Sequence, residues 1–248
     1  MKVIVINGSP NMDKGNTALI LTPFIEGMME AGAEVEVFYI KKLKIKPCEG
    51  EFNCWIKNPG VCIHRDDMDW LLPKLGESDL LVLAVPLFVD DMPGPVKAFI
   101  DRLIPRGDIR IEIRDGRCRH PIREGLKPLP VALVSNCGFW EMENFDLLVQ
   151  HIKGWAEHAN SPFLGAVLRP TGPILRALLD FGNNFDDIFQ AVKEAGRQLI
   201  KQGKMSDKTL DTISRPIMTK EEYVESHNAI FNDVLADLAE EQSKGNIG

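Results

Sequence analysis

Apolar and polar residues come in blocks along this chain. Five short runs are mostly apolar: 2–8 (KVIVING), 34–40 (EVEVFYI), 79–88 (DLLVLAVPLF), 130–138 (PVALVSNCG) and 163–172 (FLGAVLRPTG). Such runs predict strands of a parallel sheet covered on both faces. Between them, apolar residues recur at helical spacing. Residues 16–31 place Ile20, Phe24, Met28 and Ala31 on one face, with Gly32 as a stop. Pro23 inside that pattern predicts a kink or a late start. Further helices are predicted over 94–104 (Val96, Phe99, Ile100, Leu103), 141–159 (Phe145, Leu148, Val149, Ile152) and 185–201 (Ile188, Val192, Ala195, Leu199). A weaker one covers 67–76, interrupted by Pro73 and capped by Asp66-Asp67.

Strands alternating with helices imply right-handed crossovers and an open twisted sheet. The expected fold class is α/β: a flavodoxin-like, doubly wound, five-stranded parallel sheet in the order 2-1-3-4-5, with helices on both faces. Ligands of such sheets bind beyond the carboxyl ends of the strands, which directs attention to loops 8–17, 86–94 and 135–141. Two segments lie outside the pattern. Residues 109–122 alternate around Asp115-Gly116, a hairpin signal within an insertion over about 106–127. The tail ends in a helix starting at Thr219, where Thr219 and Glu222 form a capping box. Its stripe of Tyr223, Ile230, Phe231, Val234, Leu235 and Leu238 needs a surface to cover. The expected division is a main domain over 1–204 and a helical extension over 205–248.

Composition narrows the function. The 248 residues carry a net charge of −7, which disfavours a nucleic-acid partner. No run is long and apolar enough for a membrane span. Five cysteines, an odd number, with an N-terminus that reads as a core strand, point to a reducing, cytoplasmic setting.

The first loop, INGSPNMDKGNT, holds the candidate chemistry. Backbone amides at a helix N-terminus favour an anion. Ser9, Lys14, Asn16 and Thr17 add donors, and Gly8 and Gly15 let the backbone bend closely. Neither G-x-x-x-x-G-K-[ST] nor G-x-G-x-x-G occurs. What remains suits one terminal phosphate monoester, such as that of FMN. From the residues alone, the loop is either that seat or an ordinary capped turn.

The stretch GSPNMDKGNT, followed in order by PCEGEFNCWIKNPGVCIHRDDM, AVPLFVDDMPGPVKAFIDRL and VSNCGFWE, resembles the NADPH-dependent FMN reductase family and, more closely, its iron–sulfur flavoprotein branch. The resemblance spans residues 1 to about 145. It implies that Ser9, Pro10, Lys14, Gly15, Asn16 and Thr17 hold the FMN phosphate. Pro86, Leu87, Phe88, Val89 and Asp90 would line one side of the ring, and Ser135, Asn136, Cys137 and Gly138 its pyrimidine side. Phe88 stands where the family often has Tyr, and on residue type alone it could simply plug the sheet end. The implied activity is an FMN-dependent oxidoreductase, passing electrons from NAD(P)H to a quinone, small-molecule or protein acceptor as a homodimer or homotetramer. The other readings are an electron carrier blind to NAD(P)H and a cysteine-based iron–sulfur or metal redox protein.

Cys48, Cys54 and Cys62 bear on the last of these. The branch carries four clustered cysteines for a [4Fe–4S] cluster, but here Glu51 stands at the second position. A carboxylate is a poor ligand in a soft thiolate site. The loop is read as bare thiols, as a three-cysteine site completed by Glu51, His64 or solvent, or as zinc on three cysteines and His64. Trp55 could cover a flavin, including a neighbouring subunit's. Seven basic residues in the hairpin region (Arg106, Arg110, Arg114, Arg117, Arg119, Arg123, Lys127) are offset by four acids; they form a solvated or interface face, or a clamp for an NADPH phosphate.

Overall fold

The computed structural model of the protein describes residues 1–245. Strand β1 (Lys2–Asn7) leads through the first loop into α1 (Asn16–Glu30) and β2 (Glu34–Tyr39). A long loop carries the single turn α2 (Asn53–Ile56) and ends in α3 (Met68–Glu77), which feeds β3 (Leu80–Pro86) and α4 (Gly94–Asp101). The hairpin of β4 (Glu112–Arg114) and β5 (Arg117–Arg119) precedes β6 (Val131–Asn136), α5 (Asp146–His158) and β7 (Phe163–Arg169). Four helices complete the chain: α6 (Gly172–Asp180), α7 (Asp186–Gln202), α8 (Asp207–Ser214) and α9 (Lys220–Gly245). Contacts divide it into residues 1–214 and 215–248, so α8 belongs with the first unit.

The five long strands form one parallel sheet in the order β2-β1-β3-β6-β7, the flavodoxin-like arrangement expected from the apolar runs. Successive side chains of a strand point to opposite faces. Ile4, Ile6, Leu81, Leu83, Val85, Val131 and Leu133 pack with α3, α4 and α5 in one core. The intervening Val5, Val82, Ala84, Ala132 and Val134 are equally buried, and α1 covers β3 and β6 from the other side. Each fully buried aliphatic side chain contributes about 1.5–3 kcal/mol, which explains why runs with so few polar positions become central strands.

On the second face α1 crosses α7 at very short range. A Cβ on Gly27 would lie 1.8 Å from the Lys193 carbonyl oxygen, and one on Gly196 would lie 2.2 Å from that of Phe24. Around this crossing Glu30 pairs with Lys193 at 2.6 Å and with Arg197 at 2.8 Å.

Some details depart from the sequence reading. Helix α1 starts at Asn16 and runs through Pro23, so there is no late start. Asp67 makes no side-chain cap for α3; it accepts the Lys44 amide at 2.6 Å instead. Asp66 accepts the amides of Lys46 and Met68 at 2.9 and 3.0 Å and forms a buried pair with Arg102 at 2.7 Å. The two acids therefore fasten the long loop to the end of α4. Helix α6 follows β7 directly where the strand pattern was read as running on. The Thr219–Glu222 capping box forms, with amide-to-side-chain bonds of 2.8 and 3.2 Å, and Asp115-Gly116 makes the hairpin turn with φ of 51° and 72°.

Candidate functional site

Strands β1, β3 and β6 are neighbours, so the three loops leaving their carboxyl ends lie side by side. Short bonds fix them to each other. The Gly8 amide donates to the Ala84 carbonyl at 2.8 Å and the Leu87 amide to that of Asn136 at 2.9 Å. Ser135 Oγ donates to the Val85 carbonyl at 2.8 Å. Thr17 Oγ1 donates to Asn136 Oδ1 at 2.7 Å, a buried bond joining the first and third loops.

The first loop closes on itself. Asn7 Oδ1 accepts the Ser9 amide at 2.9 Å and Ser9 Oγ the Asn11 amide at 3.3 Å. A Cβ on Gly15 would sit 2.5 Å from Ser9 Oγ, so only glycine leaves the loop interior free. The amides of Asn16 and Thr17, in the first turn of α1, have no acceptor among the described residues. Such unsatisfied donors, aided by the helix dipole, suit a phosphate. Lys14 is exposed, as is Pro10, whose carbonyl accepts Lys41 Nζ at 2.9 Å.

One residue over this loop was not legible in the sequence. Arg176, on α6, donates from Nε to Asn16 Oδ1 at 2.6 Å and from Nη2 to the Gly15 carbonyl at 2.9 Å. Both acceptors are neutral, so its positive charge remains for an anion. Arg176 lies 160 residues from Asn16 in a helix the apolar pattern did not reveal. The only signal was Pro173 behind Thr171-Gly172, a helix-opening arrangement.

The second loop makes a tight turn after Pro86 and Leu87. Phe88 and Asp91 exchange backbone hydrogen bonds of 2.8 and 3.1 Å around Val89 and Asp90. Both central residues are left-handed, with φ of 49° and 63°. That conformation is strained for a β-branched residue, and Val89 is 97% exposed. Beside the turn, Asp91 pairs with His151 of α5 at 2.8 Å. In the third loop Ser135, Asn136 and Cys137 are buried. Burial pushes the Cys137 thiol up to about 11, which makes it an inert neighbour at neutral pH. Gly138 is exposed at the end of the row.

The cysteine loop lies elsewhere, packed against the segment that follows α4. Cys54 is buried, and Cys48 and Cys62 are partly so. Burial raises the Cys54 thiol, reinforced by the nearby Cys62, Glu51 and Cys48. Glu51 Oε2 accepts the Asn53 amide at 2.7 Å at the start of α2, and His64 Nε2 faces the Pro47 carbonyl at 3.1 Å. Among the described residues, no group of three or more His, Cys, Asp and Glu side chains is arranged to hold a metal ion. Three thiols, with the carboxylate at the second position committed to an amide, do not fit a four-thiolate cluster. Trp55 stacks on Phe52 of its own loop at 5.2 Å, meets the His120 ring at a tilt with centroids 4.5 Å apart, and donates to the Ile104 carbonyl at 2.9 Å.

Comparisons with known proteins bear on the family and the fold. The family model for NADPH-dependent FMN reductase matches residues 1–115. An iron–sulfur flavoprotein of Archaeoglobus fulgidus is 37% identical over 155 residues, which cover 55% of this chain and 75% of that protein. Another from the same organism is 38% identical over 107 residues, covering 43% of this chain and 47% of its own length. The chain thus spans about half the length of some curated relatives it matches. Among solved structures, an NAD(P)H:quinone oxidoreductase from Methanothermobacter marburgensis superposes with a TM-score of 0.57 at 17% identity, over 80% of this chain and 96% of that one. That likeness shows the fold.

Proposed function

The chain belongs to the NADPH-dependent FMN reductase and iron–sulfur flavoprotein family, and from that premise we propose that its three-loop rim binds FMN and serves an NAD(P)H-dependent oxidoreductase. The observation that carries the reading is the first loop. Among the described residues it combines unpaired amides of Asn16 and Thr17, an interior kept open by Gly15, and an Arg176 guanidinium held by neutral oxygens. This donor set suits a phosphate monoester.

Each residue then has a distinct task. The Asn16 side chain orients Arg176 through its oxygen and keeps its amide nitrogen for the phosphate. Ser9 offers its hydroxyl hydrogen while its oxygen holds Asn11. The Thr17 hydroxyl is spent on Asn136, so Thr17 contributes its backbone amide and locks the loops in register. Leu87, Phe88 and Val89 give a flat apolar wall to one side of the ring, and Ser135, Asn136, Cys137 and Gly138 border the other. When bound, FMN supplies electron transfer between a nicotinamide and an acceptor. The protein supplies position, exclusion of water and hydrogen bonds. The cysteine loop enters no step.

The test is anaerobic titration of the FMN-loaded protein with NADPH and with NADH, following the visible absorbance. Bleaching by either supports the oxidoreductase. FMN that binds but is bleached by neither points to an electron carrier reduced by another protein. Absence of FMN binding ends the whole reading.

A further inference from the structure

A cavity of about 520 Å³ lies between α3, the cysteine loop and the segment that follows α4 and β5. It is remote from the three-loop rim: α3 enters β3 at Leu80, the amino end of the sheet. Its walls include Met68 and Leu72 of α3 and Leu126, with Gly76 in the middle. Three arginines border it: Arg123 donates to the carbonyls of Pro105, Cys54 and Gly107, while Arg102 and Arg106 each keep a buried N–H without an acceptor, Nε and Nη1 respectively.

Arg102 and Arg106 differ in one respect. Arg102 is matched by Asp66 through bonds of 2.7 and 3.1 Å. Arg106 has no ion pair among the described residues; its Nη2 donates only to the Lys127 carbonyl at 2.9 Å. Burial holds its pKa below the usual arginine value with no opposing carboxylate. The acids at the cavity mouth, Asp69 and Glu77, are exposed, and Asp69 is turned to Arg65 at 3.4 Å. The free Nη1 lies 3.8 Å from where a Cβ on Gly76 would be, and that Cβ would lie 3.9 Å from Leu126. A partly buried, uncompensated guanidinium with an idle donor is costly unless an anion completes it. An apolar wall beside it asks for a hydrophobic body on that anion.

We propose that this cavity binds a small organic carboxylate, its charge at the Arg106 guanidinium and its apolar part against Met68, Leu72 and Leu126. The volume is in the range of small-molecule sites. The site is independent of the flavin assignment, and its recognition rule is explicit: negative charge at one end, hydrocarbon at the other.

The experiment is calorimetric titration of the protein as purified with benzoate, and with benzamide as the neutral isostere, at constant ionic strength. Saturable benzoate binding is expected, with benzamide weaker by about tenfold or more, the value of one charged hydrogen bond. Arg106→Gln should weaken benzoate about tenfold and leave benzamide unchanged. Gly76→Leu, whose side chain grows into the cavity, should abolish both while the thermal midpoint and visible spectrum stay those of the parent. Equal affinity for the two probes would overturn the proposal. Benzoate binding that survives Gly76→Leu would place the ligand elsewhere. No saturable binding at millimolar benzoate would mean that water, or a side chain of a second copy, completes Arg106.

Discussion

At the scale of single residues, burial and hydrogen-bond direction separate groups that look equivalent in the sequence. Lys14 and Arg176 are both cations near the first loop. Lys14 projects into solvent, whereas Arg176 is partly buried and held by Asn16 and Gly15. Pairing in a desolvated position is the stronger interaction. Arg176→Ala should therefore weaken FMN binding by about tenfold or more, and Lys14→Ala by severalfold at most; quenching of FMN fluorescence measures both. Equal losses would mean that the lysine swings in to share the phosphate. The role of Thr17 likewise follows from where its hydroxyl goes rather than from residue type. Ser9, Gly15, Asn16 and Thr17 were readable because they fall in one contiguous loop with a recognisable chemistry. Arg176 was not, because its relevance arises only once α6 folds back across the sheet.

At the scale of elements, two contacts set the packing. The α1–α7 crossing has no room for a Cβ at Gly196, since the obstructing atom is the Phe24 carbonyl. Gly196→Ala should destabilise the fold by about 1–3 kcal/mol despite the better helix propensity of alanine, read as a lower urea midpoint with an unchanged slope. On the opposite face, the Arg102–Asp66 pair is nearly inaccessible, with the two side chains 1% and 3% exposed. Burial alone would raise the Asp66 carboxyl, but hydrogen bonds from Arg102, Lys46 and Met68 outweigh it and hold it below the ordinary 3.8. A depressed folded-state value means that the carboxylate stabilises fully above the unfolded pKa. That contribution is lost as pH falls from there through the folded value. Asp66→Asn should cost about 3–5 kcal/mol at neutral pH, because Arg102 is left buried without its counter-charge. The penalty should shrink when urea melts are repeated below the ordinary aspartate range, and a penalty independent of pH would refute the ion-pair account. The strands were legible because a sheet covered on both faces tolerates few polar residues, and the hairpin because Asp115-Gly116 accepts positive φ. Helix α6 was hidden because β7 passes into it through Pro170, Thr171 and Gly172, with no polar linker to mark the change. Of the two aspartates expected to cap α3, Asp66 does accept the amide of its first residue, Met68, while also holding Lys46 and Arg102; Asp67 was taken instead by the Lys44 amide of the long loop.

At the scale of the whole molecule, the sheet order gathers the three loops, and the amino end carries the Arg106 cavity. The extension after residue 214 adds a long helix whose Ile230, Phe231, Val234, Leu235 and Leu238 are all exposed. An apolar row of this size is the signature of a subunit contact, and we expect it to pair copies of this chain. Phe231→Glu with Leu235→Glu should shift the protein to a smaller species in analytical ultracentrifugation, with the main unit still folded by circular dichroism. An unchanged mass would locate the contact elsewhere. Such a partner surface reads as amphipathic from the sequence, but its occupant does not, since no residue in the chain itself encodes what lies opposite.

The bonds from Arg176 to Gly15 and Asn16 and the crossing of α1 with α7 share a temporal implication. Both join the first thirty-odd residues to groups translated some 160 residues later. A nascent polypeptide still lacking α6 and α7 would present the first loop without its arginine and α1 without its cover. Loading of the cofactor should therefore be among the last events after emergence from the ribosome, and a chain stalled before α7 should emerge colourless.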